Sequence, residues 1–244
     1  MKPITFSNRL FEPIPLPIEV VAEGKFLERP NRFIGVVQVE GKEHRVHIAD
    51  TGRLRELLIK GAKVYLGANP NGKLDYKLLG VEYQNRPVFL NPSFHSPIGE
   101  ELIKRGILGY IPSKIQREKR VGKSRIDFLV DTSHWVEIKG CNLLLGEWCL
   151  FPDAPTTRGS RHIGELTQRV EMGERATLLF LLFQPCTRFG IYKKRDPELH
   201  STLNLAQKKG VEILGVQLEF LPYSSTGKVE IIPSKILPFG EWEG

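Results

Sequence analysis

The chain has 244 residues, 41% of them hydrophobic, with 35 Lys or Arg against 28 Asp or Glu, a net charge of +7 and a pI near 9.3. That is enough apolar material for one large packed domain or two modest ones, and no apolar run reaches the roughly 18 to 20 residues of a membrane helix. The basic balance favours polyanionic partners, because Lys and Arg contacts to phosphate dominate nucleic-acid affinity.

The opening segment, MKPITFSNRLFEPIPLPIEV, has no apolar stretch followed by a small-residue cleavage site. No secretory leader is expected, and the expected location is the cytoplasm. Ile18 to Leu27 is strand-like, and Arg29-Pro30-Asn31 turns the chain. Phe33 to Val39 follows, with Val37 and Val39 alternating against Gln38 and Glu40, and Glu40-Gly41-Lys42 is a tight turn into His44 to Ala49. A short helix is expected over Arg53 to Ile59, capped by Asp50 or Thr51. Strands over Ala62 to Leu66 and Lys77 to Tyr83 complete an order typical of an OB-type barrel, a fold that binds oligonucleotides or oligosaccharides. The breakers Asn85-Arg86-Pro87 and Asn91-Pro92-Ser93 place a domain boundary near residue 90. The expected division is thus 1–90, an all-β OB-type nucleic-acid-binding domain, and 91–244.

The second part alternates differently. Ser96-Pro97 opens a helix with Ile98, Leu102, Ile103, Ile107 and Leu108 at helical spacing. Strands are expected over Lys114 to Val121, Ser124 to Val130 and His134 to Ile138, then a polar loop from about Asn142 to Thr157. A helix from Ser160 to Arg175, an apolar strand from Ala176 to Phe183, a helix between Asp196-Pro197 and Gly210, and a strand from Val211 to Phe220 follow, with a short hairpin near Thr226-Gly227. This is a mixed α/β sandwich. The three cysteines (Cys141, Cys149, Cys186) are odd in number and form no C-x-x-C pair, which points to a reducing compartment and away from a structural zinc site.

The chemistry concentrates in SRIDFLVDTSHWVEIKG, Ser124 to Gly140. On the first strand Arg125, Asp127 and Leu129 share a face; on the second, Trp135, Glu137 and Lys139 do. A three-residue turn at Asp131-Thr132-Ser133 places Asp127 opposite Glu137 and Arg125 opposite Lys139, with Cβ atoms about 4.5 to 5.5 Å apart. Two adjacent carboxylates repel, so one takes a proton or a cation sits between them. Hard oxygen donors suit Mg²⁺ or Mn²⁺, held by one or two carboxylates plus substrate phosphate. Lys139 is placed to orient an attacking water or to neutralise charge on a phosphorane. The same four side chains also fit a solvated face with ion pairs worth under about 1 kcal/mol each.

Downstream, Arg158, His162, Glu165 and Arg169 fall on one helix face. They could meet phosphates beside the metal, with His162 as acid or base, or simply face solvent. Glu118 is a candidate third acidic group, or an ordinary strand-end charge. In the first domain Arg53 and Arg55, near Lys60 and Lys63, could touch a phosphate backbone.

Taken together, Asp50-Thr51-Gly52-Arg53-Leu54, Ser124-Arg125-Ile126-Asp127-Phe128, Val136-Glu137-Ile138-Lys139, Phe151-Pro152-Asp153-Ala154, Thr157-Arg158-Gly159 and His162 through Leu166 resemble the sugar fermentation stimulation protein A (SfsA) family over nearly the whole chain. The resemblance implies an N-terminal OB-type domain, a C-terminal domain like the PD-(D/E)xK nucleases, and DNA binding. In that superfamily's pattern the acidic pair falls on Asp127 and Glu137 and the lysine on Lys139. The expected activity is therefore phosphodiester hydrolysis of DNA, with RNA as a second substrate, dependent on Mg²⁺ or Mn²⁺. The competing reading is a non-catalytic DNA-binding regulator of sugar-utilisation genes; an oligosaccharide-binding role has no sugar-specific site to support it. The oligomeric state stays open, a homodimer included, and no membrane partner is expected.

Overall fold

Strands form in the first half where apolar side chains alternate with polar ones, and the computed structural model, which describes residues 8–244, shows how they close. The first seven residues, part of the segment read for a leader, lie outside the described ones. Residues 13–94 together with 218–232 make one unit; 95–217, with 8–12 and 233–244, make the other. The first break between the units falls after Phe94, where the short turn Pro92–Phe94 meets the following helix, a few residues beyond the breakers near residue 90.

In the first unit a two-residue strand, β1 (Ile14–Pro15), precedes β2 (Ala22–Asn31), β3 (Ile34–Val39), β4 (Lys42–His47), β5 (Lys63–Ala68), β6 (Tyr76–Tyr83) and β7 (Arg86–Phe89). Along β3, Val37 and Val39 are buried and Gln38 is exposed. Glu40 and Gly41 take φ 49° and 81°, the left-handed pair of a tight hairpin turn. Hydrogen bonding runs β4-β3-β2-β5-β6 and returns from β6 to β4 through Val46↔Tyr76 and His47↔Lys77. The five strands thus close into a barrel with Phe26, Val37, Val46, Val64, Leu66 and Val81 inside. β7, which begins within the breakers Asn85-Arg86-Pro87 and continues into the buried pair Val88 and Phe89, adds to the end of β6.

The helix expected over Arg53 to Ile59 is absent; a single turn forms, with Leu58 N–H on the Leu54 carbonyl at 2.8 Å. Leu54 has φ 49°, outside the helical region. Arg29 supplies the competing partner. Its guanidinium donates to the carbonyls of Gly52 (2.7 Å), Arg53 (3.0 Å), Arg32 (2.7 Å) and Asp50 (2.7 Å). Asp50 accepts from Gly52 N–H at 2.8 Å, a local turn rather than a helix cap.

The second unit holds α1 (His95–Lys104), β8 (Ile115–Val121), β9 (Ser124–Val130), β10 (His134–Cys141), β11 (Leu143–Leu145), β12 (Trp148–Phe151), α2 (Thr157–Glu171), β13 (Arg175–Leu182), β14 (Arg188–Ile191), α3 (Pro197–Lys209), β15 (Glu212–Leu221) and β16 (Glu230–Gly240), the last two running into the first unit. The sheet order is β11-β12-β14-β16-β15-β13-β10-β9-β8. β13, the apolar run ATLLFLL after Arg175, is buried throughout between parallel neighbours β10 and β15. Burial on both faces is what a parallel sheet covered by helices requires. α2 contributes Ile163 and Leu166 and α3 contributes Leu199, Leu203 and Ala206 to the core. Each fully buried large side chain is worth about 2 kcal/mol. α1 approaches β10 at Gly99, where an added Cβ would lie 2.6 Å from Ile138 Cδ1. Because Ile138 meets α1, its neighbours Glu137 and Lys139 face the other side.

The loop expected from Asn142 to Thr157 instead contains β11 and β12, and β14 is a further strand beyond those expected. β12 and β14 are short strands whose pairing, Trp148↔Arg188 to Phe151↔Ile191, spans some forty residues of sequence. α2 starts at Thr157 rather than Ser160, because Thr156 Oγ1 accepts from Gly159 N–H at 3.0 Å and caps it. It ends at Glu171, followed by Gly173 at φ 87°. α3 starts and stops where expected, with Asp196 as cap and Gly210 at φ 104°. The cysteines depart from a set of free thiols: Cys149 and Cys186 are bonded, with Cα atoms 5.6 Å apart, and Cys141 is buried and free.

Candidate active site

β9 and β10 pair as the three-residue turn requires: Val130↔His134, Leu129↔Trp135 and Phe128↔Val136. Asp131 fixes that turn, its Oδ1 accepting from Ser113 N–H (2.8 Å), Ser113 Oγ–H (2.7 Å) and Lys114 N–H (3.0 Å). The next pair in this register is Asp127 opposite Glu137, and there the backbone ladder stops. Side chains replace it. Ile138 N–H donates to Asp127 Oδ2 at 2.8 Å, and Asp127 N–H reaches Glu137 Oε2 at 3.3 Å. Each carboxylate is thus held by the backbone of the opposite strand.

Glu137 is 3% exposed. Its Oε1 accepts from Lys139 Nζ at 2.5 Å and from His162 Nδ1 at 2.5 Å. Burial alone would raise its pKa, but the Lys139 charge and the His162 hydrogen bond outweigh burial and hold the carboxyl down near 2. Asp127 goes the other way. Burial and the adjacent Glu137 charge push it up to about 6, against the Ile138 N–H, Lys139 and a hydrogen bond from Ser96 Oγ (3.2 Å). Two adjacent carboxyls with pKa values driven apart are a feature of sites built for chemistry.

His162, buried on α2, is oriented by both ring nitrogens. Arg158 Nε–H points at Nε2 from 3.4 Å, so the proton sits on Nδ1 and faces Glu137. Ser96, at the start of α1, is a site residue that sequence spacing does not reveal; its only signal is the Ser-Pro helix start. Glu165 joins the surroundings rather than the carboxylates: Oε1 accepts from Lys123 N–H at 3.3 Å in the β8–β9 turn. Arg125 is exposed on β9, two residues before Asp127. Glu118 lies opposite Asp127 in the β8–β9 register but is exposed at φ 53°. Arg169, two turns beyond His162, lies over the Trp135 ring at 5.2 Å and pairs with Glu174 at 3.5 Å. Arg53 and Arg55 are exposed in the barrel unit.

Among the described residues no three His, Cys, Asp or Glu side chains converge as a ready-made metal cage. The donor set nonetheless suits a hard divalent cation that keeps its waters and takes substrate phosphate as a further ligand. Burial and then the Glu137 charge destabilise Asp127 as an anion, and a cation beside the two carboxylates would offset that penalty.

A second polar cluster sits three residues earlier on β10. Thr177 Oγ1 donates to Glu212 Oε2 (3.0 Å), so it accepts from His134 Nε2 (2.8 Å), and His134 Nδ1 accepts from Tyr110 O–H (2.9 Å). Arg175 covers the Tyr110 ring at 5.3 Å. Burial pushes the His134 pKa down to about 4.

Against known families, residues 27–90 match the SfsA N-terminal OB domain and residues 93–224 match the sugar fermentation stimulation protein RE domain. A sugar fermentation stimulation protein homolog from Thermotoga neapolitana is 40% identical over 207 residues, 84% of this chain and 91% of the relative. The homolog from Methanothermobacter thermautotrophicus is 37% identical over 211 residues, 82% of this chain and 87% of its own. Among solved structures, that of Pyrococcus furiosus SfsA in complex with Ca²⁺ superposes with a TM-score of 0.81 at 33% identity, covering 93% of this chain and 98% of that one.

Proposed function

Because the chain belongs to the sugar fermentation stimulation protein family and carries the Asp127, Glu137 and Lys139 cluster, we propose that it binds nucleic acid and hydrolyses phosphodiester bonds with a divalent cation, using a PD-(D/E)xK-type site. The observation that carries this reading is the paired carboxylates: Asp127 and Glu137 are pinned side by side on neighbouring strands, with a lysine on Glu137. A pure binder of polyanions gains nothing from two carboxylates held together, since without a cation they repel phosphate. The Ca²⁺ complex of the Pyrococcus furiosus relative shows that a protein of this family takes up a hard divalent ion. DNA is the first substrate, and the family's OB domain supports that choice. RNA, whose phosphodiester is the same, is the second.

Asp127 and Glu137 would hold Mg²⁺ or Mn²⁺, which when bound lowers the pKa of a water and polarises the phosphate. The chain's own groups do the rest. Ser96 and the Ile138 N–H fix the Asp127 carboxylate, and His162 with Lys139 fixes that of Glu137. Lys139 places a positive charge where the phosphorane gains negative charge. Arg158, after its one contact to His162, keeps guanidinium donors for substrate phosphate. In the reaction a water oxygen bonds to phosphorus, one P–O ester bond breaks, the water gives up a proton and the departing alkoxide regains one.

The test is cleavage of single- and double-stranded DNA and of RNA in Mg²⁺, Mn²⁺ or EDTA. Activity present with metal, absent with EDTA and lost in Asp127→Ala and Lys139→Ala is expected. Binding with no cleavage under any condition would leave the non-catalytic regulator as the correct reading.

A further inference from the structure

The positive charge of this protein is concentrated at one place. From Lys114 to Arg125 the β8–β9 hairpin carries six Lys or Arg and one Glu, a net +5 in a chain whose total is +7. Among the described residues β8 is the last strand of its sheet, so none of them pairs with its outer edge. Arg120 stands directly opposite Arg125, and both are exposed. Like charges opposed across a strand pair are destabilising. Nothing offsets them here: among the described residues, Lys119, Arg120, Lys123 and Arg125 have no ion-pair partner. Arg117, by contrast, is paired with Glu100.

The hairpin tip is also held in place. Lys123 N–H donates to the buried Glu165, and Arg161 Nε–H donates to Ser124 Oγ at 3.1 Å, so two bonds fix the turn to α2. α2 is the helix that also carries His162 and Arg158 into the carboxylate cluster. Arg125 is two residues from Asp127 on the same face of β9, about 6.8 Å along the strand at roughly 3.4 Å per residue. A fixed row of unpaired cations that ends at the carboxylate pair has the layout of a track for a phosphate backbone.

We propose that the β8–β9 hairpin is the substrate arm of this protein: Arg120, Lys123 and Arg125 grip consecutive phosphates of one nucleic-acid strand and deliver the next phosphate to Asp127 and Glu137. Glu165 is a positioning residue that holds the arm against α2. The inference rests on the nuclease reading for its endpoint, but the grip itself is measurable without turnover.

The experiment is fluorescence anisotropy of a labelled single-stranded oligodeoxynucleotide with the full chain, in EDTA, across a salt series. Removing one phosphate-binding cation should lower the slope of log K against log salt by roughly 0.7. The Arg120→Ala, Lys123→Ala, Arg125→Ala triple variant should therefore show a slope smaller by about 2 and bind at least tenfold more weakly, with its thermal unfolding kept. Glu165→Gln, which keeps an acceptor for Lys123, should retain the slope. A triple variant with unchanged slope and affinity would overturn the arm. That result would leave metal-dependent cleavage standing, while loss of cleavage alone in the Asp127 and Lys139 variants says nothing against the arm.

Discussion

β10 carries two buried polar clusters three residues apart, and they are built on opposite principles. At His134 every donor finds an acceptor: Tyr110, His134, Thr177 and Glu212 form a chain with one direction, and the imidazole is neutral inside it. At Glu137 the groups are in conflict. Two carboxylates are pinned together, one near pKa 2 and the other driven up to about 6 by burial and by its neighbour. A satisfied network stabilises and specifies a core. A conflicted one persists only because the surrounding strands over-determine it, and such conflicts gather where a ligand resolves them. The contrast assigns stability to the first cluster and function to the second, and substitutions can break that assignment.

The largest effect is expected at the conflicted cluster. Glu137→Ala should lower metal-dependent cleavage per folded molecule by on the order of 10³-fold, comparable to losing a transition-state donor, and it also strips Lys139 and His162 of their carboxylate partner. Full activity in that variant, in a steady-state assay, would remove Glu137 from the site. His134→Ala should do the reverse: a stability loss of about 3 kcal/mol by urea unfolding, from the emptied space and the Tyr110 hydroxyl left without its acceptor, with cleavage per folded molecule unchanged.

The same histidine sets a pH dependence. Its folded pKa of about 4 lies below the unfolded value of about 6.5, so the unfolded chain binds the extra proton between them. The stabilising contribution is complete above pH 6.5, is lost as pH falls toward 4, and amounts to about 3 kcal/mol. His95, also pushed to about 4 by burial, adds a slope of the same sign. Urea midpoints from pH 7 to 4 should fall steeply in the parent and less steeply in His134→Gln; parallel curves would refute the buried neutral state of His134.

Smaller effects separate the supporting residues. His162→Ala should reduce cleavage by roughly 10- to 100-fold, as expected for a partner that orients a ligating carboxylate. Asp127→Asn should raise the stability of the metal-free protein by about 1 to 2 kcal/mol, since it removes a carboxylate that burial disfavours as an anion and Glu137 repels. A destabilised Asp127→Asn in EDTA would mean that the conflict is absent.

The legibility of these features in the sequence follows from their range. Strand alternation and turn length act within some fifteen residues, so the facing of Asp127 and Glu137 and the register of the hairpin could be read directly. The caps of α3 are equally local. What stayed hidden depends on partners far along the chain. Arg29 takes the carbonyls of a loop more than twenty residues away, and so Leu54, Leu57 and Leu58, apolar at helical spacing, make one turn instead of a helix. β12 joins the sheet through β14, some forty residues on, as well as through its neighbour β11, and Cys149 pairs with Cys186 across the same gap. Ser96 reaches Asp127 over 31 residues. Arg169, on the right helix face by spacing, is drawn instead to Trp135 and Glu174, a pairing that α2's packing decides.

The central claim is that Asp127 and Glu137 share one divalent cation, and Mn²⁺ binding to the apo-protein tests it most directly. Titration calorimetry paired with thermal unfolding should show one ion per chain and a Tm that rises with Mn²⁺ concentration, as binding to the folded state alone requires. Both signals should vanish in Glu137→Gln and in Asp127→Asn. Undiminished Mn²⁺ binding in either variant, with one ion per chain retained, would contradict the account.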